Sequence, residues 1–91
     1  MPFSQFLDYL QLEKKYSPNT LTAYKTDLES FSEFILFEFE EKDLRKVHYS
    51  QIRNWIVSLV DQGVSNRSIN RKISSLKAFY RFLQKTGDIE F

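Results

Sequence analysis

The chain has no cysteine, two glycines, two prolines, one tryptophan and one histidine in 91 residues. Without cysteine there is no disulfide framework and no thiolate metal site. The single histidine, His48, has no second histidine or carboxylate cluster to complete a metal site. It reads as solvent-facing or as a local hydrogen-bonding residue. So few glycines and prolines leave little material for hairpin turns, which favours an all-α domain. No apolar run reaches the length of a membrane span, and no secretory signal pattern opens the chain. Internal repeats and low-complexity segments are also missing. No cofactor is expected, since no ligand set or nucleotide motif emerges. Nor does a pair of carboxylates or a nucleophile with its base, so a complete small enzyme is a weak reading.

What is present suits one packed domain. Hydrophobic residues make up 42% and aromatic residues 16%, with nine Phe. That is ample for a core at this length and argues against disorder. The net charge of +1 hides an asymmetry. Residues 64–87 hold six basic side chains (Arg67, Arg71, Lys72, Lys77, Arg81, Lys85) and no acidic one. The rest of the chain therefore carries seven basic and twelve acidic residues. Positive charge gathered on one segment points to a polyanion more than the overall balance does.

That segment reads as a helix with marked ends. Gly63 precedes it, Ser65 suits an N-cap, and Gly87 suits a left-handed C-cap. Ile69, Ile73, Leu76, Tyr80 and Leu83 recur every three or four residues and form an apolar stripe. At about 100° per residue, Arg67, Arg71, Ser74, Arg81 and Lys85 fall on the opposite side. Ser68 and Ser75 flank that polar face on one side, Asn70 and Lys77 on the other. Arg can bond bidentately to guanine, Asn to adenine, and Ser to bases or phosphates. The short polar residues between the arginines allow close approach to a duplex. The competing reading is a solvated basic face on an ordinary surface helix.

Three more helices precede it. Residues 3–15 form a short amphipathic helix on Phe6, Leu7 and Leu10, ending near Lys14 and Lys15, which suit the negative end of the helix dipole. It packs on its own domain or docks on a neighbouring subunit. Ser17 followed by Pro18 is a strong start signal for the next helix, which runs to about Phe37. Leu21, Tyr24, Leu28, Phe31 and Ile35 make its core stripe, widened by Phe34. Its early turns offer Asn19, Thr22, Ala23 and Thr26, and its later turns Glu29 and Glu33. A helix start favours a phosphate, so the acidic half should point away from nucleic acid. Capping alone is the competing role for Asn19 and Thr20. Residues 38–48 are a charged connector anchored by Leu44 and Val47. Ser50 is the expected N-cap of the third helix, with an incomplete capping box because Arg53 holds the acid position. Ile52, Trp55, Ile56, Leu59 and Val60 give that helix a buried stripe through about Gln62. Trp55 reads as a core anchor rather than a base-stacking platform.

Two stretches together are specific. One is Ser17-Pro18-Asn19-Thr20-Leu21 with Tyr24 and Asp27-Leu28. The other is Ser68-Ile69-Asn70-Arg71-Lys72-Ile73-Ser74-Ser75-Leu76-Lys77, then Phe79-Tyr80 and Phe82-Leu83. In that order and at that separation they resemble the N-terminal core-binding (SAM-like) domain of Xer-type tyrosine recombinases and phage-type integrases. The resemblance covers nearly the whole chain. It implies a small four-helix bundle that forms half of a clamp around a recombination site, with two helices presented to the major groove of double-stranded DNA. It implies contacts from Asn19, Thr20, Thr22 and Thr26 on one helix. From the other it implies Arg67, Ser68, Arg71 and Ser74, with Asn70 and Lys77 as backbone neighbours. By side-chain type, Arg67 and Arg71 suit base readout, and Lys77 and the hydroxyls suit phosphate positioning.

The resemblance also implies the parent chemistry: a tyrosine attacks a DNA phosphate to form a 3'-phosphotyrosine, and basic residues stabilise the transition state. None of Tyr9, Tyr16, Tyr24, Tyr49 or Tyr80 matches the nucleophile's motif. Residues 1–91 are thus expected to be a single excised domain, ending where an interdomain linker begins at residues 88–91. It should bind DNA and not cut it, with the catalytic domain absent. The resemblance further implies a bacterial cytoplasmic parent that is tetrameric on DNA and acts in chromosome partition or in mobile-element integration. The isolated domain is expected to be a monomer. A rival reading is a helical protein-interaction module, with apolar anchors on the first helix and around Phe37 and Phe39.

Overall fold

In the computed structural model, described over residues 3–87, four α-helices and one 3₁₀ turn account for the ordered backbone, with no strand among the described residues. The expected linker at 88–91 lies outside the described residues. The helices are α1 (Phe3–Leu12), α2 (Pro18–Phe39), α3 (Tyr49–Asp61) and α4 (Asn66–Lys85). All-α architecture and four helices match the reading of the sequence.

Helix ends follow local chemistry, with three departures from expectation. First, α1 stops at Leu12, so Lys14 and Lys15 lie beyond its last turn. The amides of Glu13 and Lys14 both turn back to the Tyr9 carbonyl, at 2.9 and 3.4 Å. Lys15 then takes a φ of 56°, which ends helical winding. Second, α2 runs on to Phe39, until Glu40 adopts φ 55° and donates its N–H to the Leu36 carbonyl. Third, α3 starts at Tyr49, ahead of the expected Ser50 cap. With His48 as N-cap, the reciprocal position falls on Gln51 instead of Arg53, and Gln51 Oε1 accepts from the His48 N–H at 2.8 Å. Elsewhere the ends match. Ser17 Oγ accepts from the Thr20 N–H, and Ser65 Oγ accepts from the Ser68 N–H. Gly63 and Gly87 both take φ 82°, a region closed to most side chains.

One contiguous core joins all four helices. Phe6 and Leu10 of α1, Leu28, Phe31 and Ile35 of α2, Trp55 and Leu59 of α3, and Leu76, Phe79 and Leu83 of α4 are buried. Phe6 meets Phe79 and Phe82 at ring separations of 5.5 and 5.4 Å. Phe31 meets Trp55 edge-on at 5.0 Å. Trp55 is thus a core anchor, and α1 turns its apolar stripe onto its own domain. Val60, expected in the α3 stripe, is 57% exposed, because it lies on the side of α3 that also leaves Val57, three residues earlier, 50% exposed.

The connector is held by one hydrogen bond. Leu44, in the 3₁₀ turn Leu44–Lys46, is buried, and its carbonyl accepts from the Tyr80 hydroxyl of α4 at 2.7 Å. Burial, and then the charge of Asp43, push the Tyr80 phenol up, so it stays a donor at any ordinary pH. Asp43 is itself fastened to Arg45 by two side-chain bonds of 2.9 Å, which bring its carboxyl down to about 2. Tyr80→Phe leaves the Leu44 carbonyl only the 3.5 Å bond from the Val47 N–H, without filling or emptying the core. It should cost about 1 kcal/mol, read as a lower urea midpoint at unchanged m-value.

Candidate nucleic-acid interface

The polar face of α4 is open to solvent, as its periodicity predicts. Arg67, Asn70, Arg71, Ser74, Lys77, Arg81 and Lys85 are exposed, and Ser68 is half-buried. Among the described residues, no hydrogen bond or ion pair restrains Arg67, Asn70, Ser74 or Lys77. Ser75 departs from expectation. Placed on the flank of the polar face by its angle, it is 4% exposed, because α2 packs over that flank and presents a hydrogen-bond acceptor there.

The first turns of α2 supply the second group. Asn19, Thr22 and Thr26 are exposed and Thr20 is half-buried. Two of these hydroxyls already serve the helix. Thr20 Oγ1 lies 3.0 Å from Ser17 Oγ, and Thr22 Oγ1 donates to the Pro18 carbonyl at 3.0 Å. Ser68 likewise accepts from Ser65 at 3.1 Å. Asn19 and Thr26 are the α2 positions with no such internal commitment among the described residues.

One buried carboxylate ties the two helices together. Asp27 of α2 is 1% exposed. Arg71 donates to both of its oxygens, from Nη2 to Oδ1 at 2.8 Å and from Nε to Oδ2 at 3.3 Å. Lys72 Nζ donates to Oδ1 at 3.1 Å, and Ser75 Oγ to Oδ2 at 2.9 Å. Burial pushes the carboxyl up, but the bonds from Arg71, Ser75 and Lys72 outweigh it, and Asp27 lies below the usual carboxylate range. It is therefore ionised at neutral pH with its acceptor sites filled.

This arrangement divides the basic residues of α4. Residues 64–87 hold no acid of their own, yet α2 brings one to them. Lys72, only 14% exposed, neutralises Asp27 and is lost to any ligand. Arg71 is bound along one edge but keeps 53% of its side chain exposed, so its remaining N–H groups face outward from a fixed guanidinium. Such a held fork is suited to bidentate recognition. Arg67 and Lys77 remain free point charges beside it. Sequence reasoning missed the roles of Asp27, Lys72 and Ser75. One signal was available: Asp27 falls three residues after Tyr24 and four before Phe31, an acid at a core position of an amphipathic helix.

Comparison with known proteins adds the following. Residues 3–87 match the family described as phage integrase, N-terminal SAM-like domain. The chain is 44% identical over 85 residues to a tyrosine recombinase XerC of Oceanobacillus iheyensis, covering 93% of this chain and 28% of that protein. It is 46% identical over 78 residues to a tyrosine recombinase XerC of Anoxybacillus flavithermus, covering 86% of this chain and 26% of that protein. A Listeria monocytogenes tyrosine recombinase XerC is 43% identical over 85 residues. The chain thus spans little more than a quarter of the length of these curated relatives. No solved structure matches it.

The Asp27 cluster has a signed pH dependence. A carboxyl lowered by folding stabilises the fold above its unfolded pKa, and that contribution is lost as pH falls through the lowered folded value. Asp27→Ala should destabilise the domain at neutral pH by about 3 kcal/mol, the lower end for a broken buried pair, because half-exposed Arg71 can turn to water. Asp27→Asn should also be less stable than the parent chain at neutral pH. The gap should close below about pH 4 as the parent's own carboxyl protonates. Thermal denaturation of both chains across pH 2–7 checks this.

Proposed function

The chain belongs to the phage integrase N-terminal SAM-like domain family, and from that membership we propose that it is the DNA-binding part of a site-specific tyrosine recombinase. It grips double-stranded DNA with the exposed face of α4 and the first turns of α2. The observation that carries this reading is the Asp27 cluster. It fastens α4, with its row of exposed cations, to α2 at the turn that also presents Thr26.

In this reading Arg67 and the outer edge of Arg71 read base edges in the major groove. Asn70, Lys77 and Ser74 contact the backbone, where cations replace condensed counterions. Asn19 and Thr26 meet the duplex beside the open N–H groups at the start of α2, which favour a phosphate. Thr20, Thr22 and Ser68 shape the two helix starts and reach DNA only with the lone pairs their internal bonds leave.

The chain binds and orients the duplex, and the remainder of a longer, bacterial, cytoplasmic recombinase cuts and rejoins it as a tetramer. By holding the strand in register, it turns the attack of a distant tyrosine into a step between positioned groups. The tyrosines of α2 and α4 support this division. Tyr80 donates to a buried carbonyl, and Tyr24 packs between Phe6 and Tyr16.

The protein-interaction reading keeps one foothold. Phe37 is 84% exposed, whereas on α1 Phe6 and Leu10 are buried and Phe3 and Leu7 are half-buried against the core. Phe37 lies fifteen residues beyond Thr22, roughly 23 Å along α2, so a partner there would leave the DNA face free.

Titration of labelled duplex at low salt should give weak binding that falls steeply as salt rises. Arg67→Ala should cost about 1–3 kcal/mol and relax preference at one base position of a selected duplex pool. Lys77→Ala should weaken every sequence alike. Arg71→Ala tests less cleanly, since it also strips Asp27; its loss should exceed that of Arg67→Ala and come with a lower melting temperature. Indifference of the parent chain to duplex DNA at low salt would overturn the proposal.

A further inference from the structure

Below the Arg67–Ser74 region, the same face of α4 closes against α1 and the start of α2 around a cleft of about 360 Å³. Its floor is aromatic, with Phe6, Tyr24 and Phe82 among its walls. Four cations line it: Lys14 from the α1–α2 turn, and Lys77, Arg81 and Lys85 from α4. No carboxylate among the described residues does so. Among the described residues, the charge on the walls of this cleft is thus positive alone.

Two of the cations share one aromatic ring. Lys85 Nζ lies 5.2 Å and Lys14 Nζ 6.0 Å from the centre of the Tyr9 ring. The ring quadrupole attracts each ammonium, while the two charges repel one another. An anion in the cleft would relieve that repulsion. Low-dielectric aromatic walls strengthen its attraction to all four cations. The cleft is open and shallow enough for a group carried on a polymer to enter.

Helix length says which anion. α4 has 20 residues and is roughly 30 Å long, whereas the major groove is about 12 Å wide. With its first turns against base edges, its last turns must lie past the rim of the groove, where the nearest anions are backbone phosphates. We propose that the cleft between α1 and α4 receives a phosphodiester of the strand flanking the groove, with Lys14, Arg81 and Lys85 as sequence-independent contacts. This rests on the duplex-binding reading above and extends its footprint beyond the residues the family resemblance implies.

The test compares salt dependence of duplex binding for the parent chain, for Lys14→Gln, Arg81→Gln and Lys85→Gln, and for the triple variant. All three positions are exposed, and circular dichroism checks that the variants fold. Each single change should make the slope of log K against log salt shallower by about 1, with the same fold-loss on every sequence. Trimming the duplex from one end should abolish the difference between parent and triple variant once the flanking phosphate is gone. Inorganic pyrophosphate should compete only at high concentration, whereas tight capture of it at any duplex length would assign the cleft to a free phosphate compound and overturn the proposal. A triple variant with the parent's slope, while Arg67→Ala still weakens binding, would sink the cleft and leave the duplex reading standing. No duplex binding by the parent chain would sink both.

Discussion

Ionised Asp27, buried between α2 and α4, is the constraint on which the exposed basic face of α4 depends. A carboxylate out of water is costly unless its acceptor sites are filled. Here Arg71, Lys72 and Ser75 fill them, from three positions within five residues of one helix. The geometry leaves little latitude. Rotating α4 by one residue about its axis, some 100°, would carry all three donors away. Buried ion pairs are weak evidence for net stability, but they discriminate strongly between registers. In this domain the register being specified is the one that leaves Arg67, Ser74 and Lys77 on the exposed side of α4.

The hydrophobic core does the remaining work, in two aromatic groups. Phe6, Phe79 and Phe82 join α1 to α4, and Phe31 with Trp55 joins α2 to α3. These contacts, with the aliphatic core around them, bury apolar surface but specify rotation loosely, since aromatic pairs tolerate a range of angles. Apolar packing gathers the helices, and the polar cluster selects among the ways they could be rotated. The Tyr80–Leu44 hydrogen bond plays the same part for the connector, which has little apolar surface of its own.

The consequence for function is a sorting of the cations on one helix. Of the six basic residues on the last helical stretch, Lys72 is consumed internally and Arg71 is half committed. Among the described residues nothing pairs with Arg67 or Lys77, and Lys85 leans over an aromatic ring. All six count equally in net charge. They differ in what each can still do, because the partner that distinguishes them comes from another helix.

That contrast marks what could be read from residue order alone. Ser17-Pro18, Ser65 and Gly87 set helix ends because capping is decided within four residues of chain. The stripe from Ile69 to Leu83 declared which side of α4 faces inward, since a helix repeats every 3.6 residues whatever it packs against. The same locality explains the misses. His48 displaced Ser50 as a cap because Gln51 was the better reciprocal partner, and Val60 fell at the edge of its stripe, on the side of exposed Val57. Tertiary structure alone decided the pairing of Asp27 with Arg71, 44 residues apart, the burial of Ser75, and the enclosure of Lys14 with Lys85 around Tyr9. Periodicity determines a side chain's direction from its own axis; what it meets in that direction depends on the neighbouring helix, which no single segment encodes.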